Sequence, residues 1–489
     1  MKTSVQTEAP ADAVTPSPSL GGVLASLSLG MLLPSLGISI ANVALPTLAA
    51  SFAASFQQVQ WVVLAYLLAT TALIVSVGRL GDLTGRRRLL LAGILLFAVA
   101  SGLCAAAPSL AWLIAARAAQ GLGAAVMMAL TMALVGEAVP KSRTGRAMGL
   151  LGTMSAIGTA LGPSLGGVLI AGLGWRAIFV VNLPLGVLAF FLARRYLPAD
   201  RPVSKAGRHS FDHWGTLLLA STLVAYALAM TIGRGHFGPL NVALLLSAVA
   251  GAGLFIWHES RVGSPLIRLA SLRDPALSAS LAMSALVSTV VMATLVVGPF
   301  YLARALGLGM ALVGVAMSAG PVVSALAGVP AGRIVDRWGA PRTTVAGLVG
   351  MAIACLALCT APAGLGVAGY VVPLVVLTAH YALFQAANNT AVMADVSPDR
   401  RGVISGLLNL SRNLGLITGA SVMGAVFALA SDTADVSGAS AQAATAGMRV
   451  TFAVAMVLVL VALAVAVGGR AVQRRAAQAW AGKGSEPTH

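Results

Sequence analysis

Long apolar runs alternate with short polar breaks along nearly the whole chain. Runs of about 17–28 residues are long enough to cross a bilayer as helices. The pattern predicts fourteen spans, at 21–45, 59–78, 89–107, 110–137, 147–170, 177–193, 216–232, 240–257, 278–303, 309–332, 343–361, 368–392, 403–430 and 450–468. The shortest pair, 216–232 and 240–257, is parted by the breaker Gly233-Arg234-Gly235-His236-Phe237-Gly238-Pro239. Residues 1–20, rich in Ala, Pro, Ser and Thr, read as a disordered cytoplasmic N-terminus. They lack a basic n-region, so the first span is expected to be retained. Residues 469–489 read as a basic cytoplasmic tail.

Two patterns repeat at nearly one offset. Gly78-Arg79-Leu80-Gly81-Asp82-Leu83-Thr84-Gly85-Arg86-Arg87-Arg88, between two spans, reads as a tight loop. Gly332-Arg333-Ile334-Val335-Asp336-Arg337-Trp338-Gly339-Ala340-Pro341-Arg342 fits the same frame 254 residues later. Gly149, Gly158, Gly162 and Gly167 lie 257 residues before Gly406, Gly415, Gly419 and Gly424. An internal duplication explains both. It predicts a six-helix bundle over 21–195, a linker with two inserted transmembrane helices over 196–277, and a second six-helix bundle over 278–468. Parallel halves in a membrane chain point to a transporter with its site at their interface.

Composition sharpens this picture. The 489 residues are 58% hydrophobic and 9% charged, with mean hydropathy +0.91. This describes an all-α polytopic membrane protein, not a soluble domain. The formal charge of +17 does not signal nucleic acid, because the basic residues fall in short loops. With the N-terminus inside, 25 of the 31 Lys and Arg lie on the inner side and four outside. Arg117 and Arg412 lie within spans. The asymmetry sets both termini in the cytoplasm. Cys104, Cys355 and Cys359 all lie in apolar runs, without disulfide or metal spacing. No Gly-x-x-x-x-Gly-Lys-Ser/Thr loop is present, so transport would draw on an ion gradient rather than ATP.

The polar residues inside spans are the candidate chemistry. Arg117 lies about 10 Å from the outer end of its span and is followed by Gln120. An intramembrane charge faces a cavity or a partner, unless it snorkels to the interface. Gly158, Gly162 and Gly166 repeat every four residues, beside Pro163 and Gly167, which suits close helix packing and a hinge. His380 falls about 18 Å into a span of about 37 Å, with Gln385, Asn388 and Asn389 following. Asn409, Arg412 and Asn413 occupy the next span. In the loop motif, Gly78, Gly81, Asp82, Gly85 and Arg86, echoed by Gly332, Asp336 and Gly339, read as gating residues. Asp82 would cap a neighbouring helix N-terminus. Glu137 and Glu259 sit at span ends and read as solvated charges.

Together these motifs resemble the major facilitator superfamily. The loop at 78–88 is similar to its signature loop, the Arg117 run to its span-4 motif, and Gly158–Gly167 to the span-5 motif of its antiporters. Fourteen spans, Asn42-Val43-Ala44-Leu45-Pro46, Gln60-Trp61-Val62-Val63 and Trp175-Arg176…Phe179…Asn182…Pro184 resemble the fourteen-helix drug:proton antiporter branch. The resemblance implies alternating access, proton coupling and export of hydrophobic or amphiphilic compounds from a bacterial-type inner membrane. The expected partners are a small-molecule substrate and the lipid bilayer, with no nucleic acid, no obligate protein partner, no cofactor and no metal. One departure stands out. That branch commonly carries Leu-Asp-x-Thr in span 1, where this chain reads Leu36-Gly37-Ile38-Ser39, and all 14 acidic residues lie in loops, tails or span ends. The remaining intramembrane ionisable groups, Arg117, His380 and Arg412, favour neutral or anionic amphiphiles. His380 is then the candidate proton carrier, with Asp82 or Glu137 as the competing assignment. The alternatives are a transporter of one neutral or anionic metabolite, and a non-transporting sensor or enzyme. No clustered catalytic set or soluble output domain supports the last.

Overall fold

The structure is a computed structural model that describes residues 19–140, 144–200, 212–232, 238–262, 273–393, 401–431 and 440–483. The expected disordered segment up to residue 18, the breaker 233–237 and the end of the tail at 484–489 lie outside the described residues. So do the side chains of Asp82 and Glu137.

The described chain is helical throughout, and fourteen helices are long and apolar enough to cross a membrane. The first half comprises α1 (Leu20–Ser51), α2 (Phe56–Thr84), α3 (Arg86–Ala105), α4 (Leu110–Ala138), α5 (Thr144–Leu173) and the broken span α6 (Ala177–Val180) with α7 (Asn182–Tyr196). The inserted pair is α8 (His213–Thr231) and α9 (Pro239–Arg261). The second half comprises α10 (Pro275–Phe300), α11 (Met310–Trp338), α12 (Ala340–Thr360), α13 (Ala368–Met393), α14 (Arg401–Thr418) with α15 (Gly424–Ala430), and α16 (Ala441–Lys483). Two π-helical turns that no sequence pattern announced, Tyr301–Ala305 and Gly419–Met423, extend α10 and join α14 to α15.

Packing repeats between the halves as the sequence does. α1 packs on α5 and α7, α2 on α4, and α3 on α4 and α7. In the second half α10 packs on α14 and α16, α11 on α13, and α12 on α13 and α16. The contacts between halves follow the same pairing: α5 meets α11, α2 meets α14, and α1 meets α10. α8 lies against α2, and α9 packs on α8 with Leu246 64% and Val249 70% exposed. Large apolar side chains so exposed suit contact with lipid tails.

The motif expected to be a loop over 78–88 is almost entirely helix. α2 runs to Thr84 and α3 starts at Arg86, leaving Gly85 alone between them. The second copy compresses its turn onto Gly339 in the same way. Gly85 has φ +95° and Gly339 +81°. A side chain at positive φ meets its own backbone, so only glycine makes this one-residue reversal without strain.

Candidate functional site

The two halves meet tightly at the end of the bundle that holds residues 52–55. There the Phe56 ring stands edge-on to Phe300 at 4.5 Å and lies 5.5 Å from Phe427, so α2 closes against α10 and α15. Alongside, α5 and α11 touch through their backbones. A Cβ at Gly167 would lie 2.9 Å from the Gly314 Cα and 2.7 Å from the Met310 carbonyl oxygen. A Cβ at Gly314 would in turn lie 2.9 Å from the Gly167 Cα and press on the Pro163 carbonyl oxygen. The glycine row of span 5 thus divides between two neighbours. Gly158, Gly162 and Gly166 face α1 at Leu32, Ser39 and Ile40, where Ser39 Oγ donates to the Gly158 carbonyl at 3.2 Å. Gly167 and the Pro163 carbonyl face the other half.

Arg117 sits in the first half as a knot between three helices, with 0% of its surface exposed. Its Nε donates to the Val62 carbonyl on α2 at 2.9 Å, and Nη1 to the Gly37 carbonyl on α1 at 3.2 Å. Nη1 also donates to Gln120 Oε1, and Gln120 Nε2 donates to Ser101 Oγ at 2.7 Å on α3. The guanidinium lies 4.3 Å from the centroid of Tyr66, whose hydroxyl donates to the Pro34 carbonyl at 2.9 Å. Carbonyl oxygens, an amide and a π face solvate this cation where a carboxylate would be usual. Its Nη2 has no partner among the described residues.

The other polar candidates scatter. Asn409 and Arg412 are exposed on α14, about 17 Å along that helix at Arg412. A cation within a span is costly in hydrocarbon, so an exposed arginine there suits a polar cavity or the membrane interface rather than lipid tails. Asn388 is buried and donates to the Ser280 carbonyl on α10 at 3.3 Å, Gln385 is half-buried and Asn389 exposed. His380 lies elsewhere. Its ring presses against Gly350 of α12, and Nδ1 is 2.8 Å from the Val376 carbonyl oxygen. This side of α13 faces away from the seam between halves, because α12 packs on α11, α13 and α16. Depth in the span alone did not reveal that orientation.

At the signature turn the anion over the α3 N-terminus is Asp200, from beyond α7. Its Oδ1 accepts from the Arg87 N–H at 2.7 Å and its Oδ2 from the Arg88 N–H at 3.1 Å. Asp200 also covers Gly85, where a Cβ would meet its Oδ2 at 2.5 Å. Gly81 packs under Leu130 and Arg86. In the second copy Gly332 has open space around it, Asp336 is exposed and Gly339 has only Pro341 nearby, at 3.8 Å. The two turns should therefore differ in tolerance. Gly85→Ala is expected to lower the melting temperature more than Gly339→Ala, since both strain φ but only the first collides with a capping carboxylate.

Sequence reasoning missed a buried acid cluster on the inserted pair. Glu259, read as a solvated end-of-span charge, is 3% exposed. It converges with Asp212, the N-cap of α8, on the position a Gly215 Cβ would occupy, which lies 2.8 Å from the Glu259 carboxylate and presses on that of Asp212. Asp212 Oδ1 accepts from the Gly215 N–H at 2.8 Å and lies 2.9 Å from His258 Nε2. Thr216, bonded to the Asp212 carbonyl, pairs with Ser76 of α2 at 2.8 Å. The signal was present in sequence: an acid opens the first inserted helix, and His-Glu closes its antiparallel partner. Burial raises the Asp212 carboxyl, but hydrogen bonds from Gly215 and His258, then the His258 charge and Glu259, outweigh it and hold it below its ordinary value. A depressed carboxyl contributes stability above its unfolded value of about 3.9, which is lost as the pH falls through the lower folded value. Asp212→Asn keeps the cap and loses the charge. Melting temperature followed from pH 7 downward should show a shallower decline below about pH 4 in that variant than in the wild type.

Among the described residues no three His, Cys, Asp or Glu converge as metal ligands. The family model described as Major Facilitator Superfamily matches residues 27–420 and again 280–487. A riboflavin transporter, RibZ, of Clostridioides difficile is 31% identical over 406 residues, covering 83% of this chain and 88% of that protein. The multidrug resistance protein Stp of Mycobacterium tuberculosis is 33% identical over 416 residues, covering 83% and 75%. Among solved structures, a bacterial homologue of the human lysosomal transporter Spinster, inward-facing and unoccupied, superposes with a TM-score of 0.65 at 17% identity, covering 91% and 96%. The match across both halves, on a duplicated fourteen-helix fold, means that the chain belongs to the major facilitator superfamily: it is a multi-pass membrane transporter and not an enzyme.

Proposed function

We propose that this transporter exports neutral or anionic amphiphilic compounds from the cytoplasm in exchange for protons. The observation that carries the reading is the asymmetry of the seam. The halves touch through Gly167 and Gly314 and through the Phe56 cluster at one end, while Arg412 stands exposed on α14 toward the other. That is what one state of an alternating-access cycle looks like when the pseudo-symmetric halves rock about a central site. The excess of Lys and Arg on the Gly85 side supports a cytoplasmic position for that side and both termini, with the sealed Phe56 end outside a bacterial plasma membrane. In this reading the bundles at 21–195 and 278–468 move as units, 196–277 rides between them, and Pro163 serves as a hinge. The chain works alone on a small-molecule substrate, with the proton gradient as energy source.

Efflux is supported by relatives named for multidrug resistance and drug efflux. The riboflavin transporter among the relatives favours a second reading, a carrier of one neutral or anionic metabolite. The packing of the half-buried His380 ring against Gly350, away from the seam, favours an end-of-span acid, Asp82 or Glu137, as proton carrier. Inside-out vesicles test all three points. Dye accumulation that requires this protein and collapses with a protonophore supports proton-driven export; accumulation indifferent to the gradient overturns it. Loss of coupling in Glu137→Gln but not His380→Gln supports the end-of-span acid, and the reverse restores His380.

A further inference from the structure

Buried polar groups are almost always hydrogen-bonded, so unpaired ones call for an explanation. Among the described residues, the carboxamides with unpaired buried atoms are Asn42, Gln57, Gln60 and Asn182. All four belong to the sealed end: Asn42 on the last third of α1, Gln57 and Gln60 in the first two turns of α2, and Asn182 at the start of α7. In Asn42 and Asn182 the nitrogen is satisfied by the carbonyl four residues back, and only the oxygen is unpaired. Gln57 and Gln60 have no partner for either amide atom, at 4% and 1% exposure.

Spaced three apart, Gln57 and Gln60 lie on one side of α2. Gln60 faces the seam: its amide lies against Gly424, and Phe56, one turn back, reaches Phe300 and Phe427. Trp61, beside it, turns to the inserted pair, where its Nε1 donates to Thr231 of α8 at 3.0 Å. Gly424 directly follows the π turn Gly419–Met423. Such turns often mark functional positions in otherwise regular helices. Two amides carry four unused hydrogen-bonding groups, donors and acceptors together, with no charge. The Phe56 ring, packed on Phe300 and Phe427, lies one turn from Gln60.

We infer that Gln57 and Gln60 form a substrate subsite that takes an uncharged aromatic solute with a donor–acceptor edge such as an imide or lactam. The inference rests on the transport reading above and names a substrate class for it. When the halves part at this end, the rings of Phe56, Phe300 and Phe427 separate and the two amides face the opening. A solute leaving by that route then supplies the hydrogen bonds that the protein does not. Keeping the amides unpaired costs stability in the sealed state, which is the mark of a functional site rather than a packing one.

The test uses full-length protein in inside-out vesicles with two probes. Riboflavin carries an imide edge; N-phenyl-1-naphthylamine is aromatic and lacks one. Gln60→Leu and Gln57→Leu are each expected to lower the ratio of riboflavin to naphthylamine transport by about ten-fold. Both variants should also melt higher than the wild type, by roughly 1–3 °C, because an apolar side chain of similar size removes the unpaired groups. Leucine variants that melt below the wild type would show the amides to be paired structural groups and overturn the subsite. So would a wild type that carries both probes with variants that carry them in unchanged ratio, which leaves the transport reading standing. A wild type that moves neither probe, nor any other dye, removes the transport reading and the subsite with it.

Discussion

Gly167→Leu is expected to stop transport while leaving the protein folded in the membrane. The new Cβ would stand 2.7 Å from the Met310 carbonyl oxygen and 2.9 Å from the Gly314 Cα, both backbone atoms that cannot rotate away. Overpacking of this kind costs about 1–3 kcal/mol. Here most of that cost falls on the state in which α5 and α11 touch, so it shifts the conformational equilibrium about five- to 150-fold toward an open Phe56 end. Gly314→Leu should act alike, because the contact is reciprocal. Gly172→Leu is the matched control, on the same helix with nothing within 4 Å of its Cβ position. Spin labels at the exposed positions Ser51 and Arg304, one on each half, would report the state directly. Their separation should lengthen in Gly167→Leu and stay constant in Gly172→Leu. Wild-type transport with an unchanged separation in Gly167→Leu would remove this seam from the cycle.

The same glycines show how far sequence could go. Their four-residue spacing announced a close helix contact, but not that Gly166 and Gly167, adjacent in the chain, would face different halves of the molecule. In a soluble helix an amphipathic stripe tells which side turns inward. Here most helices are apolar all round, because lipid and protein interior select the same residues. That is why fourteen spans and the duplication were legible, while the direction of His380 toward Gly350 was not. The exception is instructive: α14 carries Asn409, Arg412 and Asn413 along one stretch, where Asn409 and Arg412 are exposed and Asn413 half-buried. The signature turn was legible as a turn, since Gly85 and Gly339 recur in register. Its cap was not, because Asp200 comes from 115 residues beyond Gly85 and nothing local encodes the meeting. The two π turns left no trace either. One extra residue in a helical turn changes neither composition nor span length.

Arg117→Met is expected to leave the fold intact and to change which charges the transporter accepts. Methionine keeps much of the volume against Tyr66 and Phe179 and removes a buried cation that, among the described residues, no carboxylate pairs. Replacing buried ionic groups by apolar ones of similar volume is often neutral or stabilising. Arg117→Lys should be worse for stability, since one ammonium cannot reach the Val62 and Gly37 carbonyls while stacking on Tyr66. The functional consequence follows from Coulomb's law. At an effective dielectric of about 20, a unit charge raises the energy of a cation passing within about 10 Å by about 1.7 kcal/mol, or about fifteen-fold in occupancy. Gly37→Asp should act in the same direction by another route. It sets a carboxylate beside the guanidinium that already bonds the Gly37 carbonyl, at a site where a Cβ meets the Phe97 ring at 3.3 Å and needs a slight shift of that ring. Export of tetraphenylphosphonium relative to an anionic dye should therefore rise about ten-fold in both Arg117→Met and Gly37→Asp. The charge account fails on either of two results. One is efficient export of tetraphenylphosphonium by the wild type. The other is an unchanged cation-to-anion ratio in both variants at normal membrane abundance.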